Sequence, residues 1–150
     1  MEPCSPSPDR KKVEISLAPD LSSLAALAGI IQEFAAANGL SEAVQSRLNL
    51  MLDELITNSI TYGLDKISDP ELRLSLHLDE GAVVARLEDN GTAFNPFEDA
   101  PEPDPTLGLE ERPIGGLGVF LVKQFADSTA YERVDGRNRI TLSHLTGGES

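Results

Sequence analysis

Leu72, Leu74, Leu76 and Leu78 alternate strictly with Arg73, Ser75 and His77. Successive side chains of a strand point to opposite faces, so this run has one buried face and one wet one. Asp79-Glu80-Gly81 follows as a turn, and Ala82 to Asp89 reads as a second strand, which makes the pair an antiparallel hairpin. Val13, Ile15 and Leu17 alternate as on a short half-buried strand. Pro19-Asp20-Leu21-Ser22 reads as a helix start; Leu24, Leu27, Ile31 and Phe34 form one helical stripe, and Asn38-Gly39 stops it. Ser41 can cap a second helix that runs to Tyr62 and ends at Gly63, with Leu48, Met51, Leu52, Leu55, Ser59 and Tyr62 on one face. Gly116 to Ala126 reads as a third helix. Two final strands, around Thr129–Val134 and Arg139–Leu145, flank the turn Asp135-Gly136-Arg137-Asn138. Hairpins dominate the sheet and every helix needs a sheet face. The spacing therefore predicts an α+β fold, a two-layer α/β sandwich whose mixed, mainly antiparallel sheet carries three helices on one face.

With 150 residues and 40% apolar content, the chain has material for one domain with a sizeable core. Residues 1–11, rich in Pro and Ser, read as a disordered tail, residues 12–146 as the domain, and residues 147–150 as a second tail. No apolar run reaches the roughly 18 residues that span a bilayer, and MEPCSPSPDRKK has no signal-peptide core, so a cytoplasmic location is expected. The single cysteine, Cys4, cannot close an internal disulfide. The net charge of −13 argues against nucleic acid and anionic membranes as partners, since both need clustered Lys and Arg. It serves solubility, or a docking surface for a basic partner.

Three short motifs carry the chemistry. Glu54 and Asn58 stand four apart on the second helix, so their side chains share a face. An Asn oxygen is a hard neutral ligand that suits magnesium, and a carboxylate one turn away can orient or deprotonate a nucleophile; the same pair also reads as an ordinary surface Glu–Asn contact. Val83, Ala85, Leu87 and Asp89 share one face of their strand, so Asp89 ends a buried row and needs hydrogen-bond donors, for which an adenine amine is suited. Asp89-Asn90-Gly91 also reads as a turn in which the Asp caps local N–H groups. Gly115, Gly116, Leu117 and Gly118 open the third helix, where backbone N–H groups and the helix dipole favour phosphate, or where the glycines serve only as a hinge. The segment lacks the Lys-Ser/Thr pair of a P-loop. Glu98 to Pro113, proline-rich and acidic, reads as a long loop of the kind that is functional or disordered. His77 and His144 read as solvent-face or satisfied structural residues.

Taken together, these residues resemble the ATP-binding domain shared by gyrase, Hsp90, histidine kinases and MutL, the GHKL superfamily, over about residues 12–145. Glu54 and Asn58 resemble its N box, Asp89 and Gly91 its first glycine box, and Gly115-Gly116-Leu117-Gly118 its second. DNGTAFNP, the proline-rich lid, GGLGVFLVKQFAD and YERVDGRNRITL look most like the anti-sigma-factor serine kinases of bacterial partner-switching systems. The resemblance implies a Bergerat-type ATP-binding fold, with ATP and Mg2+ as cofactors. It implies Glu54 as general base, Asn58 as the magnesium ligand, Asp89 as the reader of adenine, and Gly115 to Gly118 with the lid as phosphate holders. Arg112 is the lid's basic residue that can meet a phosphate, and Thr141 matches the adenine-side threonine of the superfamily. Two departures stand out: Ala93 replaces a glycine common two residues after Gly91, and the lid has no obvious lysine.

The resemblance implies an ATP-dependent protein-serine/threonine kinase that phosphorylates a STAS-domain anti-anti-sigma protein and sequesters a sigma factor or another client, with a homodimer as a further expectation. A second reading is a non-catalytic module that holds ATP and controls its client by competition. A histidine-kinase catalytic domain fits less well, because no histidine and no dimerisation helices precede the first box.

Overall fold

The structure is a computed structural model and describes residues 12–99 and 116–146. The expected tails at residues 1–11 and 147–150, most of the lid with Arg112, and Gly115 lie outside the described residues. In chain order the elements are β1 (Lys12–Leu17), α1 (Ser23–Asn38), α2 (Glu42–Asn58), β2 (Leu72–Asp79), β3 (Ala82–Asp89), the short α3 (Pro96–Asp99), α4 (Gly116–Phe125), β4 (Ser128–Val134) and β5 (Arg137–Leu145).

The leucine alternation of β2 becomes the register of the sheet. Leu74 stands opposite Ile15 on one side and Leu87 on the other, and Leu87 stands opposite Ile140. Leu72, Leu74, Leu76, Val83, Ala85, Leu87, Ile140 and Leu142 thus form one apolar face, and all are buried. Leu27, Ile31 and Phe34 of α1, Val44, Leu48, Met51, Leu52, Leu55 and Ile56 of α2, and Val122 of α4 close over that face. Helix α2 packs against both α1 and α4. Arg73, Ser75, Arg86, Glu88 and Arg139 stand on the opposite face, clear of the helices. The two-layer sandwich read from the sequence is therefore the architecture of the molecule.

The strand order is β1-β2-β3-β5-β4, and every neighbouring pair is antiparallel. Here the structure differs from the expected mixed sheet. The crossover through α4 does carry the chain from β3 to a strand running in the same direction, but β5 inserts between β3 and β4. Two tight connections fix this register. Glu80 and Gly81 (φ 50° and 86°) join β2 to β3, and Asp135 and Gly136 (φ 51° and 76°) join β4 to β5. Two consecutive left-handed residues match the twist of a hairpin. The last turn is thus two residues long, not four, and β5 begins at Arg137, so Asn138 belongs to the strand.

Helix ends follow the sequence signals. The Ser41 hydroxyl accepts the Val44 N–H at 3.1 Å, and Gly39 takes the left-handed conformation (φ 67°) that ends α1. Helix α2 does not stop at Asn58. It widens into a π-helical turn over Ser59–Gly63, so its last residues reach the loop after β3.

Candidate functional site

Two ends of a site form where α2 and β3 finish. At the first end, Asn58 is buried at 1% exposure and its Nδ2 donates to Glu54 Oε2 at 2.9 Å. The four-residue spacing thus brings the two side chains together, as expected. With the amide nitrogen on the carboxylate, the amide oxygen Oδ1 faces away from it. That oxygen is buried and has no hydrogen-bond partner among the described residues. A buried carbonyl left unpaired costs about 1–3 kcal/mol, which a bound donor or cation would recover. Among the described residues no group of three His, Cys, Asp or Glu side chains could hold a metal by itself. One neutral amide oxygen suits magnesium, which keeps several waters and draws other ligands from phosphate. The residues present therefore fit that ion.

Burial raises the Glu54 carboxyl from an ordinary value near 4.5 to about 7; the Asn58 hydrogen bond opposes the rise and the nearby Asp53 charge adds to it. Asp53, the next residue back along the helix, thus reaches Glu54 through its charge.

At the second end, Asp89 closes the buried row Val83-Ala85-Leu87 at 2% exposure. Its Oδ1 accepts the Gly91 N–H and the Asn138 side-chain amide, each at 2.8 Å. The turn reading of Asp-Asn-Gly is therefore partly realised, but the second donor is 49 residues away in sequence and comes from β5. Both hydrogen bonds land on one oxygen, so Oδ2 takes none among the described residues. Asn90 points elsewhere: its oxygen accepts the Glu71 N–H and its nitrogen donates to the Asp69 carbonyl.

The two ends are joined by backbone. Thr92 N–H donates to the Gly63 carbonyl at 2.8 Å, so the π-helical turn of α2 rests on the loop after β3. A Cβ at Gly91 would lie 2.9 Å from Asp89 Oδ1 and closer still to the Gly63 carbonyl, so only glycine fits there. Tyr62 and Phe94 stack across the same junction with ring centres 4.9 Å apart. Ala93, at the position of the missing glycine, is exposed.

Helix α4 starts at Gly116 and includes Leu117 and Gly118, as the glycine-rich segment predicts. Val119 and Val122 are buried, and Lys123 Nζ donates to the Phe97 carbonyl at 2.8 Å, which ties the helix to α3.

Thr141 does not join the site. Asn138, Ile140, Leu142 and His144 are the buried residues of β5, so Thr141 faces the other way, beside Arg86 on the open face. Asn138 stands opposite Asp89 instead. The sequence reading missed it because Asp-Gly-Arg-Asn looks like a turn. The parity of the buried pair Ile140 and Leu142 is the signal that points to it. His144 is a satisfied structural residue: Arg47 Nε donates to its Nε2 at 3.0 Å, which puts the ring proton on Nδ1, 3.0 Å from the Phe125 carbonyl.

The helical carboxylate and carboxamide and the buried strand-end aspartate are held at the joined ends of α2 and β3, and comparison with known proteins says which family carries them. The profile of the histidine kinase-like ATPase domain matches residues 17–144, and the chain belongs to that family. The chain is 30% identical to the serine-protein kinase RsbW of Listeria innocua over 140 residues, 91% of this chain and 88% of that one. It is 28% identical to the serine/threonine-protein kinase BtrW of Bordetella bronchiseptica over 110 residues, 73% of this chain and 77% of that one. Among solved structures, the RsbU and RsbW domains of a Mycobacterium tuberculosis protein superpose with a TM-score of 0.65 at 15% identity. That match covers 94% of this chain and 33% of the longer one, and it bears on the fold alone. Among the described residues no helix is long and apolar enough to cross a membrane.

Proposed function

We propose that this chain is an ATP-dependent protein-serine/threonine kinase and anti-sigma factor. It phosphorylates a STAS-domain antagonist and, when that antagonist is phosphorylated, holds a sigma factor or a similar client. The observation that carries the reading is the Glu54–Asn58 pair, in which a buried amide oxygen lacks a partner among the described residues while the adjacent carboxyl titrates at about 7. The relatives named as serine-protein kinases support the reaction class.

Asn58 Oδ1 is the chain's ligand for magnesium. The ion, when bound, neutralises phosphate charge and helps align the γ-phosphoryl group. Asp89 Oδ2 accepts a hydrogen bond from the exocyclic amine of adenine. The N-terminal turn of α4, with Gly116, Leu117 and Gly118, directs backbone N–H groups and positive potential at phosphate, and Gly115 and Arg112 belong to the same reading. Glu54 takes the proton of the antagonist's hydroxyl. As that oxygen bonds to the γ-phosphorus, the bond to the bridging oxygen breaks and its electron pair leaves with ADP. A base with a pKa near the working pH combines availability with driving force.

The test is transfer from γ-labelled ATP to a purified STAS-domain protein, by the parent and by Glu54→Ala. Transfer by the parent, and its loss in a variant that still binds ATP, supports the kinase. ATP binding with no transfer by either protein favours the competing module, which regulates by binding alone.

A further inference from the structure

The geometry points to Asn138 as the residue that fixes the donor–acceptor polarity of the base site, by holding Asp89 so that only Oδ2 remains for a ligand. This inference rests on the reading of Asp89 as the reader of adenine.

Asn138 is 1% exposed and fully engaged. Its Nδ2 donates to Asp89 Oδ1 and to the Thr92 carbonyl, both at 2.8 Å. Its Oδ1 accepts from Tyr131 Oη at 2.5 Å, and from Phe94 N–H and Arg133 Nη1 at 3.1 Å each. Arg133 Nη1 also donates to the Gly91 carbonyl at 2.8 Å. A carboxamide has two N–H donors and one carbonyl. Turning this one over would set its oxygen against two acceptors and its NH2 against three donors, so its orientation is locked.

A carboxylate without such a lock can rotate and share both oxygens among neighbouring N–H groups. Here Asn138 and Gly91 N–H both hold Oδ1, which leaves Oδ2 as an acceptor of fixed direction. Such an acceptor welcomes the N6 amine of adenine and meets the O6 carbonyl of guanine or hypoxanthine with a second acceptor. Sites built to hydrogen-bond one group reject the analogue lacking it, because a buried polar group is left unpaired. Asn138 does not touch the base; it is a positioning residue, and Tyr131 and Arg133 hold it in turn.

The experiment measures ATP, GTP and ITP affinity by calorimetry with magnesium present, for the full chain and for Asn138→Ala and Tyr131→Phe. Asn138→Ala is expected to cut the preference for ATP over GTP and ITP at least about tenfold, the scale of one oriented hydrogen bond to a charged group. Tyr131→Phe, which keeps two of the three donors to Oδ1, is expected to give a smaller loss in the same direction. A merely structural role would lower the melting temperature and leave the ratio of affinities unchanged. If Asn138→Ala folds and keeps the parent's preference, the inference is overturned. If it fails to fold, an unchanged preference in Tyr131→Phe overturns it, and a reduced one supports it. A parent that binds no nucleotide, or binds all three equally, overturns the underlying reading of Asp89 and this inference with it.

Discussion

Replacing Glu54 by glutamine should stabilise the fold at neutral and alkaline pH. The carboxyl is raised from near 4.5 to about 7, chiefly by burial. At about 1.4 kcal/mol per unit, that shift corresponds to about 3 kcal/mol between an ionised and a neutral side chain. Glu54 is partly exposed, and solvent screening reduces the figure to about 1–2 kcal/mol. Because the folded-state value is the higher one, the penalty is absent below about 4.5, where the acid is neutral in both states. It grows as pH rises and is complete above about 7. Glutamine carries no such penalty and can still accept the Asn58 N–H. Urea unfolding of parent and variant at pH 4.5, 6 and 8 reads the difference directly. The variant should gain about 1–2 kcal/mol on the parent across that range while losing about 10²- to 10⁴-fold in phosphotransfer, the usual worth of a general base. A stability difference that is flat with pH, or that favours the parent at pH 8, would refute the claim that Glu54 is a desolvated carboxylate.

Asn58→Ala should abolish the magnesium dependence of ATP binding while leaving stability nearly unchanged, since relief of the unpaired amide oxygen offsets the lost hydrogen bond to Glu54; titration with and without magnesium checks it. Asp89→Ala should cost about 1–3 kcal/mol of ATP affinity and erase discrimination against GTP, read by competition. Gly91→Ala should destabilise the fold by about 1–3 kcal/mol through its clash with the Gly63 carbonyl, measured by chemical denaturation; wild-type stability in this variant would mean the junction is looser than described.

How much of this was legible beforehand depended on whether a residue's fate is set locally. The β2–β3 hairpin was, because strict leucine alternation and an Asp-Glu-Gly turn fix face and register together. The Glu54–Asn58 pair was too, because helical spacing alone decides which side chains meet. The fully antiparallel sheet was not, since nothing near β5 says that it slides between β3 and β4. Asn138 was hidden for a related reason. Its partners Asp89, Thr92 and Phe94 lie more than 40 residues upstream, and a two-residue turn brings it into the strand sooner than Asp-Gly-Arg-Asn suggests. The place of Thr141 on the open face was legible too: it falls between Ile140 and Leu142, which already claim the helix face.

The contact between Gly63 and Gly91 makes the site a ruler. Asn58 sits on α2 and Asp89 ends β3, and side chains on two separate elements would ordinarily drift apart or together as the protein breathes. Here the end of α2 is pinned to the β3 loop through main-chain atoms, with no side chain between them to flex. The spacing between the amide oxygen at one end and the carboxylate at the other is therefore set by the course of the main chain rather than by intervening side-chain packing.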